Sequence, residues 1–329
     1  MTLNIAILGA GRIGQVHARA VGGNRDARLV AVADAMPEAA QALSAAYGAR
    51  VDTIDAIARD PGVDAVVICT PTDTHADLIE QFARAGKAIF CEKPIDLDIG
   101  RVKQCLKVVA DTGTVLMVGF NRRFDPHFRA LKGAIDAGRV GRVEQVVITS
   151  RDPAPPPHAY IERSGGIFRD MMIHDFDMAR FLLGEPIARV AAVASALVDP
   201  GIGRLGDYDT AIVTMEAESG AQIVITNSRR ASYGYDQRIE VAGSLGMAQA
   251  ENQRAADIVV ADASGFAKPV LLDFFMTRYL EAYAAEIAAF IAAVTEGIPP
   301  EVTGADGLAA LELADAAARA AKSGSWVSL

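Results

Sequence analysis

Long apolar runs, basic charge and cysteine are what this sequence has little of. No apolar stretch reaches the ~20 residues that a helix needs to cross a bilayer, so no membrane span is expected. The start, MTLNIAILGAGRIG, has no positively charged lead and only a short apolar run, which argues against a secretory signal. Acidic residues outnumber basic ones, 41 to 32, for a net charge of −9. Non-specific nucleic-acid binding draws on a basic surface and is not expected. The three cysteines, Cys69, Cys91 and Cys105, are too few for a disulfide framework and lack the spacing of metal ligands. A reducing cytoplasm is the expected setting. Internal repeats are also lacking.

The chain has 329 residues, 51% of them hydrophobic and 22% charged, which suits a soluble protein of two domains with an ample core. Leu3–Leu8 reads as a strand, and Gly9, Gly11 and Gly14 follow in GAGRIG. A helix-like segment comes next, then a second strand, Arg28–Ala33, ending at Asp34, 20 residues after Gly14. The glycines alone would also suit a methyl-donor enzyme or a flavoprotein. In this order with a terminal acid they predict dinucleotide binding: backbone N–H groups approach the pyrophosphate and the carboxylate meets the ribose hydroxyls. Asp34 should repel a 2′-phosphate, so NAD is favoured over NADP.

The alternation continues with Pro37–Tyr47 (helix), Ala65–Cys69 (strand, then Thr70-Pro71), Thr74–Ala85 (helix), Ala88–Cys91 (strand, then Glu92-Lys93-Pro94), Asp98–Thr112 (helix) and a closing strand, Val115–Gly119. Such alternation predicts a parallel sheet with ligands at the carboxyl ends of its strands. Lys93, after a buried strand and before a stiffening proline, is a candidate for a directed role, although most lysines are solvated. His75, beside the Thr70-Pro71 turn, is either a plain helix-start residue or part of the site.

Asn121–Pro126 (NRRFDP) reads as a hinge out of the nucleotide domain, so the expected division is 1–120 and 121–329. Pro126–Ala137 reads as a helix, and Arg151–Ser164, with Pro153 and Pro155–Pro157, as a stiff extended loop able to wall a pocket. Val143–Ser150 begins a different texture, and strand-like runs come later at Ala188–Val198, Thr210–Ala217, Gln222–Asn227 and Gln237–Ala242, which predicts an antiparallel sheet. Two alanine-rich helices, about Asp273–Glu296 and Gly304–Ala321, close the chain, and the Trp326–Leu329 tail can return to a strand. The expected fold is α/β plus α+β: a Rossmann dinucleotide-binding domain, then a C-terminal domain of open, mostly antiparallel sheet flanked by helices. A substrate would be held between the two.

Gly166–Gly184 reads as one short helix, apolar almost all round and hence buried. Asp170, His174 and Asp177 nevertheless share one face by spacing. Asp170 as a cap and His174 as a satisfied core histidine is the plain reading. A carboxylate one turn before an imidazole is also the arrangement that fixes a tautomer and stabilises an imidazolium. Tyr233 and Tyr235, two apart, would face one side of a strand, where cross-strand packing is the ordinary role.

Taken together, GAGRIG, Thr70-Pro71 with His75, Glu92-Lys93-Pro94 and the Asp170…His174 segment resemble the glucose–fructose oxidoreductase/inositol dehydrogenase (Gfo/Idh/MocA) family over essentially the whole chain. GFNRRFDP (119–126), SRDPAPPP (150–157), FRDMMIHDFDMARFLLGE (168–185) and SYGYDQR (232–238) look like its inositol 2-dehydrogenases. The resemblance implies NAD-dependent oxidation of myo-inositol to its 2-keto derivative, with Lys93, Asp170 and His174 carrying the chemistry and either His174 or Lys93 as base. It implies a cofactor site of Gly9, Gly11, Arg12, Ile13, Gly14, Asp34, Thr70, Pro71, Thr72, His75, Glu92, Lys93 and Arg122. Arg123, His158, Tyr233 and Tyr235 would join the catalytic three in touching the polyol, and a homotetramer would pack through the open sheet face. No metal is expected, because His174, Asp175 and Asp177 do not form an H-E-x-x-H pair. Dehydrogenation of another inositol or an aldose is the runner-up; a nucleotide-sensing regulator on this fold is the reading of a different class.

Overall fold

Short aliphatic runs bounded by polar turns form the first sheet of the computed structural model, which describes residues 2–329. Strands β1 (Leu3–Leu8), β2 (Ala27–Ala33), β3 (Arg50–Val51), β4 (Ala65–Ile68), β5 (Ala88–Glu92) and β6 (Leu116–Gly119) lie in the order β3-β2-β1-β4-β5-β6. Every pair is parallel. Helices α1 (Arg12–Gly22), α2 (Pro37–Tyr47), α3 (Ile54–Arg59), α4 (His75–Arg84) and α5 (Ile99–Thr112) supply the crossovers. The strand order reverses between β1 and β4, which makes their carboxyl ends the switch point where such sheets bind ligands. The short pair β3 and α3, with exposed or half-buried residues at most positions, was not expected from the sequence. Local signals hold elsewhere: Asp98 caps α5 by accepting from the Arg101 N–H at 2.7 Å, and Gly113 closes it in the left-handed region.

This unit does not stop at residue 120. It takes the chain up to Asp125 and then Leu280–Leu311, so the two consecutive halves expected from the sequence give way to a chain that returns. The helix Leu280–Glu296 buries Tyr283, Glu286, Ile287 and Phe290 along one stripe. Phe290 meets Phe90 edge-on at 5.8 Å, and Tyr283 meets His17 at 5.5 Å. Burial of one such aromatic contributes on the order of 1.5–3 kcal/mol. Asn121–Phe124 winds into a buried 3-10 turn of this unit, and the chain passes to the second unit between Asp125 and Pro126, within the segment read as a hinge.

The second unit holds Pro126–Tyr279 and Glu312–Leu329. Its elements are α6 (Pro126–Asp136), β7 (Val143–Arg151), α7 (His158–Ser164), α8 (Gly166–Asp170), α9 (Ile173–Leu183), β8 (Ile187–Ser195), α10 (Pro200–Arg204), β9 (Thr210–Ala217), β10 (Gln222–Ser228), β11 (Asp236–Gly243), β12 (Gly246–Ala250), the hairpin β13 (Val260–Asp262)–β14 (Gly265–Ala267), α11 (Phe275–Arg278) and β15 (Val327–Ser328). The large sheet runs β12-β11-β7-β10-β9-β8-β15 and is antiparallel except between β7 and β10. The tail therefore does return, pairing with β8. One face of β9 is buried through Ala211, Val213, Met215 and Ala217. On the other face Ile212, 51% exposed, lies beside its cross-strand partner Val193, 72% exposed.

Three local expectations are corrected. Arg151–Ser164 is not extended throughout, because His158–Ser164 winds into α7 behind Pro157. Gly166–Gly184 is two helices, not one. The Met171 and Met172 N–H groups both close on the Ile167 carbonyl, at 3.1 and 2.9 Å, which ends α8, and Met172 then accepts the first bonds of α9. Asp170 thus closes one helix while His174 opens the next. The segment expected as a helix from Asp273 breaks into α11 and the Leu280–Glu296 helix. Among the described residues no helix is long and apolar enough to cross a membrane.

Candidate active site

The first unit gathers its candidates at the carboxyl ends of its strands. Each glycine of GAGRIG has its own reason. Gly9 has φ +94°, and a Cβ there would stand 2.6 Å from the Cys69 carbonyl oxygen. A Cβ on Gly14 would lie 1.9 Å from the Gly9 carbonyl oxygen, so α1 approaches β1 this closely only without a side chain. Gly11, the N-cap of α1, would meet nothing within 4 Å, so the surface above the helix N-terminus is open. Arg12 and Ile13 form the first turn of that helix. Asp34 at the end of β2 accepts from the Ala10 N–H at 2.5 Å and the Met36 N–H at 2.7 Å, bracing the glycine turn. Each carboxylate oxygen retains a second lone pair for a ribose hydroxyl.

This geometry separates two substitutions. Gly14→Ala is expected to unfold the unit or lower its melting temperature sharply, whereas Gly11→Ala should leave the melting temperature of the unliganded protein unchanged and weaken NAD binding. Calorimetric titration alongside thermal unfolding checks both; a Gly11→Ala protein with undiminished NAD affinity would remove the turn from the cofactor site.

At the end of β4 the Thr70 and Thr74 hydroxyls are 2.6 Å apart, and Thr72–Thr74 makes a 3-10 turn after Pro71. His75 is buried and faces two carbonyls, Thr70 through Nε2 and Pro94 through Nδ1, each at 2.8 Å. Burial lowers its pKa despite those acceptors. Its place is a buckle between the β4 turn and the Lys93-Pro94 peptide, which is cis. Glu92 accepts from His17 Nε2 at 2.7 Å, in the interior. Arg122 and Arg123 are buried, and Arg123 donates to Asp306 at 3.0 Å within the same unit.

In the second unit, Asp170 is held from two sides. The Tyr160 hydroxyl donates to one oxygen at 2.8 Å, and Arg229 donates to the other from both terminal nitrogens at 3.3 and 3.2 Å. Arg229 is only 1% exposed and also lies 3.8 Å from Asp207, whose pKa burial raises. His174 is half-buried at the start of α9. Asp177 is buried in α9, and the neighbouring Asp175 accepts from the Asn227 amide at 2.8 Å.

The tyrosine pair separates. Tyr233 and Tyr235 precede β11, in a turn with Gly234 at φ +120°, so the same-face reading for a strand does not hold. Tyr233 is 51% exposed, donates to Asp236 at 2.6 Å and accepts from Arg151 at 2.8 Å. Burial and that carboxylate raise its pKa, so the phenol stays a donor. Tyr235 is buried against Phe274 and Tyr279. His158 pairs with Asp199 at 2.6 Å near the surface.

The sequence matches the oxidoreductase family with an NAD-binding Rossmann fold over residues 3–120 and the GFO/IDH/MocA C-terminal domain over residues 128–249. It is 66% identical to an inositol 2-dehydrogenase of Rhizobium meliloti (strain 1021), an alignment covering 97% of each chain. The chain belongs to the Gfo/Idh/MocA oxidoreductase family. Among solved structures, a myo-inositol dehydrogenase from Corynebacterium glutamicum ATCC 13032 superposes with a TM-score of 0.97 at 44% identity, covering 100% of this chain and 99% of that one. A scyllo-inositol dehydrogenase from Lactobacillus casei with bound NAD(H) and scyllo-inositol gives 0.93 at 29% identity, covering 100% and 99%.

NAD fits the donor set of this family member: two glycines whose Cβ would strike backbone, one open glycine at a helix N-terminus, and an acid at the end of β2. Residues that sequence reasoning missed are Tyr160, Arg229, His17 and Glu286. The last two did leave a signal. His17 falls with Gly14, Ala18 and Val21 on the buried stripe of α1, and Glu286 falls with Tyr283, Ile287 and Phe290 on that of its helix.

Proposed function

We propose that the chain oxidises an inositol, myo-inositol foremost, to its 2-keto derivative with NAD. The observation that carries this reading is end-to-end similarity, 66% identity over 97% of each chain, to an inositol 2-dehydrogenase, joined to the polar residues just described. NAD, when bound, supplies the hydride acceptor. His174 accepts the proton of the reacting hydroxyl, and Asp170, with Arg229 as its counter-charge, orients the imidazole and stabilises its cationic form. Lys93 donates a hydrogen bond to the reacting oxygen as negative charge develops there. The variant in which Lys93 is the base and His174 positions remains the second reading, because an amine beside a reacting oxygen can serve either way. Purified protein with NAD and a panel of inositols and aldoses, followed by absorbance of the reduced cofactor, tests the function. Turnover of myo-inositol is expected; bound NAD without turnover of any polyol would instead favour a nucleotide-sensing regulator. Preference for NAD over NADP follows from Asp34.

We further propose a homotetramer in a reducing cytoplasm, built through the open face of the large sheet. The support is the exposed apolar pair Val193 and Ile212 on that face and the buried free thiols. Val193→Lys with Ile212→Lys is expected to lower the sedimenting mass while leaving the melting temperature of each subunit nearly unchanged. Equal mass for the double variant and the wild type would exclude this face.

A further inference from the structure

Behind the Glu92-Lys93-Pro94 turn lies a buried cluster that the proposed chemistry does not use. One ligand-type atom from each of His17, Glu92 and Glu286 falls within 4.8 Å of the other two. His17 Nε2 donates to Glu92 at 2.7 Å, and its ring is wedged edge-on between Phe90 and Tyr283. The Glu92 carboxyl also packs closely over its sheet neighbour Gly119, where a Cβ would stand 3.2 Å from the carboxyl carbon. Glu286 is wholly buried, and among the described residues neither of its oxygens has a hydrogen-bond partner.

A second carboxylate beside Glu92 in this interior would carry an uncompensated charge, which is among the most unfavourable arrangements a core can hold. A proton on Glu286 removes the charge and turns an orphan acceptor into a donor. Two acceptors stand in the cluster, the Glu92 carboxylate and the unpartnered Nδ1 of His17, and Glu92 is the charged and therefore the stronger of the two. Burial first, and the Glu92 charge second, raise the Glu286 pKa well above the ordinary carboxyl range, in line with the geometry.

We propose that Glu286 is a positioning residue: as a carboxylic acid it donates to the Glu92 carboxylate, and together with His17 it fixes the end of β5 from which Lys93 departs. The proton stays on Glu286 throughout, and Glu92 is clamped between an imidazole donor and a carboxyl donor. This rests on the reading of Lys93 as the residue that meets the reacting oxygen. Removing the clamp therefore loosens the amine rather than the cofactor site as a whole.

Infrared difference spectroscopy of wild type against Glu286→Gln is the direct test. A protonated-carboxyl carbonyl band present in the wild type and lost in the variant is expected; its absence from the wild type overturns the proposal. In kinetics, Glu286→Leu is expected to lower kcat on the order of 10²-fold, as a misplacement of about 1 Å does, with KM for NAD and inositol little changed. Glu286→Gln, whose amide still donates, should keep kcat within about threefold of wild type. Equal losses in the Leu and Gln variants, or a loss confined to KM, would overturn the positioning role. Should Glu286→Leu fail to fold, Gly119→Ala crowds the same carboxyl from the sheet side and should lower kcat likewise; an unchanged kcat there counts against it.

In a Lys93→Ala background, Glu286→Leu should cost less than about threefold more, since the two act through one group. A fully multiplicative loss overturns the coupling. If Lys93→Ala turns over at the wild-type rate, the role of Lys93 falls and this positioning with it, whereas loss of the infrared expectation alone leaves Lys93 standing. A stoichiometric divalent metal in the purified protein, released by Glu286→Gln, would make the cluster a metal site and overturn the carboxyl clamp.

Discussion

His174→Ala is expected to lower kcat for inositol oxidation by roughly 10²–10⁴-fold, the usual contribution of a general base, while NAD affinity changes little. The cofactor contacts expected from GAGRIG and Asp34 lie in the first unit, and His174 opens α9 in the second, so its loss should not disturb the glycine turn. Steady-state kinetics with titration of NAD binding separates the two effects. An unchanged kcat under chemistry-limited conditions would take the histidine out of the reaction and leave Lys93 as the base. Asp170→Asn should follow in the same direction, with the difference that Arg229 then loses its nearest counter-charge.

Arg229→Met is expected to destabilise the protein by about 3–5 kcal/mol, the effect of removing one partner from a buried ion pair. The side chain is 1% exposed and its partners Asp170 and Asp207 are 13% and 11% exposed, so water offers the stranded carboxylates little relief. Chemical denaturation of the holoenzyme reads the loss directly. The double variant Arg229→Met with Asp170→Asn should recover a substantial part of that stability, because it removes a charge left without its partner. A loss below about 1 kcal/mol in the single variant would mean that the pair behaves as a surface bridge and holds nothing in place.

What the sequence revealed and what it concealed differ in kind. The glycine turn was legible because its requirement is local: three positions where a Cβ either strikes backbone or does not, within six residues. The parallel sheet was legible because aliphatic runs alternated with amphipathic ones. The break between α8 and α9 was not, since Met171 and Met172 are good helix formers and the break is made by two N–H groups closing on one carbonyl. Arg229 was invisible because its partner stands 59 positions away, and nothing near it in the chain marks a buried guanidinium. The tyrosine pair misled through an assumed strand; the glycine between them turns the backbone, and one ring goes outward while the other is buried.

The late return of Leu280–Leu311 to the first unit has a consequence for biosynthesis. Until that segment leaves the ribosome, His17, Phe90 and Glu92 lack the aromatic and acidic lid that Tyr283, Glu286 and Phe290 provide. The nascent dinucleotide fold therefore waits, sticky on one flank, through translation of the whole intervening unit, at the pace of some ~5–20 residues per second. A gene truncated after the first sheet would encode a chaperone client rather than a small NAD-binding module.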